Sequence, residues 1–373
     1  MAPFGITAPT QILFGRGEFA KAPSLAMKLG TRVFVVHGAT PRHAEPFIAA
    51  LDMPVQSFAC PKEPDLDLLM SALASARATK ADCVIAIGGG AAMDLGKAVA
   101  GLLASSNDPL DHLEVVGKGQ PLAASPAPFM AIPTTAGTGA EVTKNAVIGV
   151  PSHNRKVSLR DPRMIADIAL VDPALTDNTP PETTLASGLD AITQVIEPYI
   201  SSRANPVTDA LCRDAIPRGL QALALLMTTE EATARDDLAL CSLFGGLALS
   251  NAGLGAVHGL AGVIGGHAPK APHGAVCGAL LPHVLNLNSV ALNRDGPIAA
   301  RIAEVVRWIT AALGTDDLAA WARDHSLPGL VQMGLKASDF STVAAEAQVS
   351  SSMKANPVKL SDAMLVEALT AAA

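Results

Sequence analysis

Along the first half of the chain, short apolar runs alternate with stretches whose apolar residues recur at helical spacing. Thr31 to Val36 is a β-branched run, and Asp82 to Ile87 is a second, ending at three glycines. Phe129 to Ile132 is a third, stopped by Pro133, and Ala169 to Val171 is a fourth. Between them, 61–79 carries Leu66, Leu68, Leu69 and Leu73, and 91–103 follows the glycines directly. Both stretches predict helices. Continuous apolar strands that alternate with helices predict a parallel sheet covered on both faces, hence an α/β domain.

After Thr179-Pro180-Pro181 the pattern changes. Stretches 186–200, 206–227, 234–249 and 299–313 are rich in Ala and Leu and keep helical periodicity, and the tail from Asn356 reads as a last helix. Pro180 and Pro181 followed by Glu182 mark a helix start, because the first turn leaves N–H groups unpaired anyway. The expected division is an α/β domain over 1–179 and an all-helical domain over 180–373.

Composition narrows the function classes. The chain has 373 residues, 49% hydrophobic and 16% charged, enough for two domains with large cores. Aromatics are only 3%, with one tyrosine and two tryptophans, so no base-stacking surface is expected. The formal net charge is −7 and lysines and arginines form no stripe, which argues against nucleic-acid binding. Five cysteines without a CxxC pair read as reduced thiols of a cytoplasmic protein. The N-terminus lacks a basic and then apolar leader, and no apolar run spans a bilayer without Gly, Pro or charge.

Two loops carry candidate phosphate chemistry. Gly88-Gly89-Gly90-Ala91 follows the second strand and opens a helix through Asp94 and Lys97. Glycines let backbone approach a pyrophosphate, and a helix N-terminus offers free N–H groups and a favourable dipole. The same glycines also suit a tight turn, and neither GxGxxG nor a Walker lysine is present. The turn Pro133 to Thr143 adds four threonines and two glycines at the end of the third strand. Loops at the carboxyl ends of neighbouring strands define the crevice where open α/β sheets bind ligands.

A second constellation lies in the helical half. Asp190 and Gln194 are four apart, hence on one helix face. His258 opens a Gly-rich helical stretch, and His273 sits in Pro272-His273-Gly274. One carboxylate and two imidazoles suffice to hold a catalytic divalent cation with an open position. Each histidine alone is more often a hydrogen-bonded structural residue.

Taken together, these segments resemble the iron-containing (group III) alcohol dehydrogenase family. The resemblance runs from Phe14-Gly15-Arg16-Gly17 to Asn356-Pro357 and is most specific at 88–97, at 133–143, at Asn251 to His258, and at Pro272-His273-Gly274 with Leu281-Pro282-His283. It implies a Rossmann-like N-terminal domain and an all-α C-terminal domain, the fold shared with dehydroquinate synthases, with metal and substrate in the cleft between them. It further implies an NAD(P)-dependent alcohol dehydrogenase or aldehyde reductase, cytoplasmic and assembled as a homo-oligomer such as a dimer. Position by position, Gly89, Gly90 and Ala91, with Asp94 behind them, hold the pyrophosphate. Thr134, Thr135 and Thr138 flank adenine and phosphates, and Asn145 and Lys156 approach the nicotinamide. Asp190, His258 and His273 fall on metal-ligand positions, for iron or zinc.

Three positions depart from the family pattern. The family usually has His where this chain has Gln194, and a second His where it has Gly262. The first change removes one of four metal ligands, as in the glycerol dehydrogenase branch, and an amide oxygen is a poor substitute. The second removes a proton relay, whose place a water chain or a ribose hydroxyl takes before His267. At the end of the first strand, Gly38 stands where NAD-preferring relatives carry Asp, so nothing there repels a 2′-phosphate, and both NAD and NADP remain open. Two other functions stay open beside the dehydrogenase. One is a metal-independent reductase like the maleylacetate reductases, and the other a nucleotide-binding protein without catalysis. A dehydroquinate synthase would need a basic cluster near Asp190 or His258, and none is seen.

Overall fold

A computed structural model describes residues 3–292 and 296–373. Strands in chain order are β1 (Gln11–Phe14), β2 (Val33–His37), β3 (Val55–Ala59), β4 (Cys83–Gly88), β5 (Phe129–Pro133), β6 (Asn145–Val150), β7 (Arg155–Arg160) and β8 (Ile168–Val171). Helices of the same half are α1 (Ala22–Leu29), α2 (Ala44–Ala49), α3 (Leu66–Ala78), α4 (Gly90–Leu102) and the short α5 (Pro109–His112). The rest is helical: α6 (Pro181–Ile200), α7 (Pro206–Leu226), α8 (Ala232–Ala252), α9 (Ala256–His267), α10 (His273–Ala291), α11 (Pro297–Leu313), α12 (Leu318–Asp324), α13 (Phe340–Ala347) and α14 (Asp362–Ala371).

Six strands form one parallel sheet in the order β1-β8-β5-β4-β2-β3. Every residue of β2 and β4 is buried, as the unbroken apolar runs require of a sheet covered on both faces. The side chains divide with period two. Phe34, Val36, Val84 and Ala86 join a core with α3 and α4, while Val33, Val35, Cys83, Ile85 and Ile87 join another with α1 and α2. Two edge strands, β1 and β3, and the antiparallel hairpin β6–β7 were not expected from the sequence pattern.

The contacts divide the chain into two compact units at Thr176–Asp177. Residues 136–138 group with the helical unit, as do the described residues before Thr7. The reason at 136–138 is local: the Gln194 amide donates to the Gly137 carbonyl at 3.0 Å, and Gly137 packs on Ser187. Thr138, expected beside the cofactor phosphates with Thr134 and Thr135, is therefore grouped apart from them.

In the helical unit, α6 is the central element. It starts as Pro181 predicts, and from Gly188 to Ile200 every residue is buried. Leu189, Ile192, Val195 and Ile196 lose all exposure against the surrounding helices, each stabilising the core by roughly 2 kcal/mol. Helix α10 is long and apolar enough to cross a membrane, and more than half of it is buried in this core.

Candidate metal centre and nucleotide edge

Asp190, Gln194 and Glu197 lie on one face of α6, spaced by four and three residues. His258 is in the first turn of α9, and His273 opens α10. The start of α10 packs directly on α6: a Cβ on Gly274 would fall 2.3 Å from the Ala186 carbonyl oxygen and 3.0 Å from the Asp190 Cβ. Only glycine permits that approach, which brings His273 to the carboxylate.

The expected trio is assembled. His258 Nε2 lies 3.4 Å from Asp190 Oδ1, His273 Nε2 lies 4.0 Å from the same oxygen, and the two rings are 5.5 Å apart. Cys277, one turn beyond His273 on α10, completes the group: one donor atom from each of the four lies within 4.8 Å of the others. Asp190 and Cys277 are fully or almost fully buried, His258 is 7% exposed, and His273 is half-buried.

Glu197 orients the site. Its Oε2 lies 2.7 Å from His258 Nδ1, and its Oε1 accepts the Val257 N–H at 2.8 Å. A carboxylate accepts, so Nδ1 carries a ring proton towards Glu197, and Nε2 faces Asp190. Asn356 accepts the preceding N–H, that of Ala256, at 3.1 Å. Two side chains thus cap the start of α9, and Gly255 leaves them room, since a Cβ there would sit 2.8 Å from both acceptors.

Charge and hydrogen bonding fit a cation. Asp190 Oδ1 and His258 Nε2 are buried without a hydrogen-bond partner, an arrangement that costs about 1–3 kcal/mol per group until something binds both. Burial pushes the Asp190 carboxyl up, yet the neighbouring imidazoles and Gln194 hold it below its ordinary value. Burial pushes His258 down, but Cys277, Asp190 and Glu197 hold its pKa well above the ordinary value. Cys277 lifts His273 to about 9 against the effect of burial. The pocket therefore stabilises positive charge, and its donors are carboxylate, imidazole and sulfur, which suit a divalent metal.

Other expected residues have separate partners. The Gln194 amide is tied to Gly137 through its nitrogen, while its oxygen is buried without a partner. His267 bonds to Glu346 at 3.1 Å and lies outside the donor group. Lys156, on β7, is ion-paired with Glu63, so no free ammonium is available there in this state. Cys277 and Glu197 escaped sequence reasoning. The available signals were spacing alone, four residues after His273 and seven after Asp190.

The α/β unit carries the nucleotide edge. Strand register sets His37 opposite Ile87, and Gly88 opposite Pro133, so Gly38, Gly88–Gly90 and Thr134 stand at one carboxyl edge. The Thr134 N–H donates to the Gly88 carbonyl at 2.9 Å. Between β2 and β4 the strand order reverses, the position where open α/β sheets bind ligands. Gly89 caps α4, leaving the N–H groups of Gly90 and Ala91 at an open helix start, with Asp94 one turn further on. Space beside Gly38 is open, and residues 39–43 include Arg42 and His43 and no carboxylate.

Behind this edge lies Lys97, fully buried. Its ammonium donates to the Ala140 carbonyl at 2.7 Å, the Thr143 hydroxyl at 2.8 Å and the Asn145 carbonyl at 2.8 Å. It ties α4 to the threonine turn and β6, and Asn145 meets this ammonium through its main chain.

The model of iron-containing alcohol dehydrogenases matches residues 9–173, and that of the family's C-terminal part matches 184–373. Long-chain-alcohol dehydrogenase 1 of Geobacillus thermodenitrificans is 39% identical over 224 residues, 60% of this chain and 56% of that protein. The NAD-dependent methanol dehydrogenase of Bacillus methanolicus is 32% identical over 284 residues, 74% of this chain and 73% of that one. The solved alcohol dehydrogenase from Oenococcus oeni superposes with a TM-score of 0.88 at 27% identity, covering 100% of both chains. Against the Geobacillus protein, then, the matched region spans little more than half of the relative's length.

Proposed function

We propose that this chain, which belongs to the iron-containing alcohol dehydrogenase family, interconverts an alcohol and its aldehyde with a nicotinamide cofactor and a divalent metal. The observation that carries the reading is the buried donor group of Asp190, His258 and His273, whose inward-facing Asp190 Oδ1 and His258 Nε2 lack partners.

When bound, the cation supplies Lewis acidity to the substrate oxygen and the nicotinamide supplies the hydride chemistry. The residues supply positioning. Asp190 contributes the negative charge of the cation site, and Glu197 fixes the ring and tautomer of His258. Gly274 holds His273 against Asp190. In the other unit, Gly89, Gly90 and Ala91 hold the pyrophosphate at the start of α4, with Thr134 and Thr135 alongside. Gly38 leaves the ribose edge free of a repelling carboxylate, so NAD and NADP are both accommodated. With Gly262 in place of a relay and His267 held by Glu346, these two positions offer no imidazole relay, and the alcohol proton would leave through water. A small-molecule substrate, a cytoplasmic location and a homo-oligomeric state, as a dimer, complete the reading.

Elemental analysis of the purified protein, with aldehyde reduction by NADH and by NADPH, tests it. The expected result is about one zinc or iron per chain, with turnover lost on chelation and in Asp190→Asn. Turnover by metal-free protein would move the chain to the metal-independent reductases. Cofactor binding without any turnover, metal restored, would favour a protein without catalysis.

A further inference from the structure

All five cysteines are buried, and among the described residues only Cys277 joins a group of possible metal donors; burial pushes Cys60, Cys83 and Cys241 up to about 12. Cys277 differs. It stands one helical turn after His273, on the same face of α10. Its Sγ lies 3.6 Å from His273 Nε2 and shares the 4.8 Å donor group with Asp190 and His258. Independently, Asp190 Oδ1 and His258 Nε2, both on side chains more than nine-tenths buried, are aimed into the same space without partners.

We propose that Cys277 is a fourth ligand of the divalent cation, restoring through sulfur the coordination number that Gln194 leaves at three. The proposal rests on the metal reading above. As the metal–sulfur bond forms, the thiol proton passes to solvent and Sγ binds as thiolate. A donor set of one carboxylate, two imidazoles and one thiolate selects a borderline cation, zinc before the harder divalent ions. The spacing supports this placement. Two ligands four residues apart on a helix present their donors to one point, and the backbone approach at Gly274 brings that point to Asp190. Gln194 competes poorly, because its amide nitrogen is tied to Gly137 and its remaining donor is a neutral oxygen.

Zinc X-ray absorption on the zinc-loaded full-length protein tests the assignment. The expected spectrum shows one sulfur scatterer at about 2.3 Å beside nitrogen and oxygen at about 2.0–2.1 Å. That sulfur shell should vanish in Cys277→Ser and persist in Cys212→Ser. Chelator competition should show zinc held at least ~10-fold less tightly by Cys277→Ser. Bound zinc with only nitrogen and oxygen neighbours in the unaltered protein overturns the proposal and leaves the dehydrogenase reading standing. An unaltered protein that takes up no zinc, iron or cobalt removes the metal reading, and this proposal with it. The unaltered protein's spectrum decides even where a Cys277 variant fails to fold.

Discussion

The carboxylate of Glu197 holds His258 and the start of α9 together, one oxygen 2.7 Å from His258 Nδ1 and the other 2.8 Å from the Val257 nitrogen. Both functions need a group that only accepts. Glu197→Gln presents an amide N–H to one of two donors, so it should lose one contact. Glu197→Ala should lose both. The expected outcome is zinc affinity lower by about 10–100-fold for the alanine variant, and stability lower by about 1–3 kcal/mol from the uncapped N–H. Chelator competition and denaturant melts measure the two effects separately. Unchanged zinc affinity in both variants would mean that His258 is oriented without Glu197.

Close approach, rather than side-chain chemistry, places His273. The Gly274→Ala variant puts a methyl group 2.3 Å from the Ala186 carbonyl oxygen, well inside contact distance. Helix α10 must shift away from α6, carrying His273 away from Asp190. Stability should fall by about 1–3 kcal/mol, and the metal should be held less tightly than in the unaltered protein. A Gly262→Ala variant, where the added methyl meets open space inside α9, is the matched control: metal affinity should not change, and stability should hold or rise by up to about 1 kcal/mol. Equal behaviour of the two variants would sink the argument.

Burial holds the Lys97 ammonium down to about 8, with Asp94 and Glu141 opposing the shift. Unfolded, it titrates near the ordinary value of 10.5. Between those values the unfolded chain carries the extra proton, so this residue's contribution to stability rises with pH across the window. Below about 8 its full desolvation cost is present, on the order of 3 kcal/mol. Lys97→Met removes that slope, and it removes the ammonium's hydrogen bonds to the Ala140 and Asn145 carbonyls and the Thr143 hydroxyl, while Thr143 still donates to Ala140. Denaturant unfolding from pH 7.5 to 10.5 should show a gap between the two proteins that widens with pH, the unaltered protein being the more stable at high pH. A constant gap would place the Lys97 titration outside this window.

Legibility followed the physics of burial. Strands β2, β4, β5 and β8 were visible because a sheet covered on both faces makes them continuously apolar. Strand β3 was not, since an edge strand tolerates Gln56 and Ser57, and its burial is only partial. In the hairpin β6–β7, strand β7 alternates Lys156, Ser158 and Arg160 with buried Val157 and Leu159 and so lacks an unbroken apolar run, whereas the apolar run of β6 is broken by Gly149. Asp190, His258 and His273 were legible by type and by their motifs. Cys277 was not, because a cysteine among Ala, Val and Leu on a buried helix reads as a small core residue. Its role depends on α10 meeting α6, a tertiary fact that periodicity does not encode.

Gly262 lies one turn after His258 on α9, and a Cβ placed there meets no atom within 4 Å. The first carbon of an imidazole side chain therefore meets no neighbour, and histidine's helix propensity is no worse than that of glycine. His267 does not substitute, because Glu346 holds it. In Gly262→His, a titratable group enters the same face of the helix as a metal ligand. If proton exit limits turnover, kcat should rise by about 10-fold, below the ~10²–10⁴-fold that a fully positioned general acid or base contributes. The kcat profile should also gain a limb near the histidine value of about 6.5. KM and zinc content should stay as they were, which separates a relay from a rebuilt metal site. A profile that keeps its shape, in a variant with normal zinc content, would place the slow step elsewhere than in proton transfer.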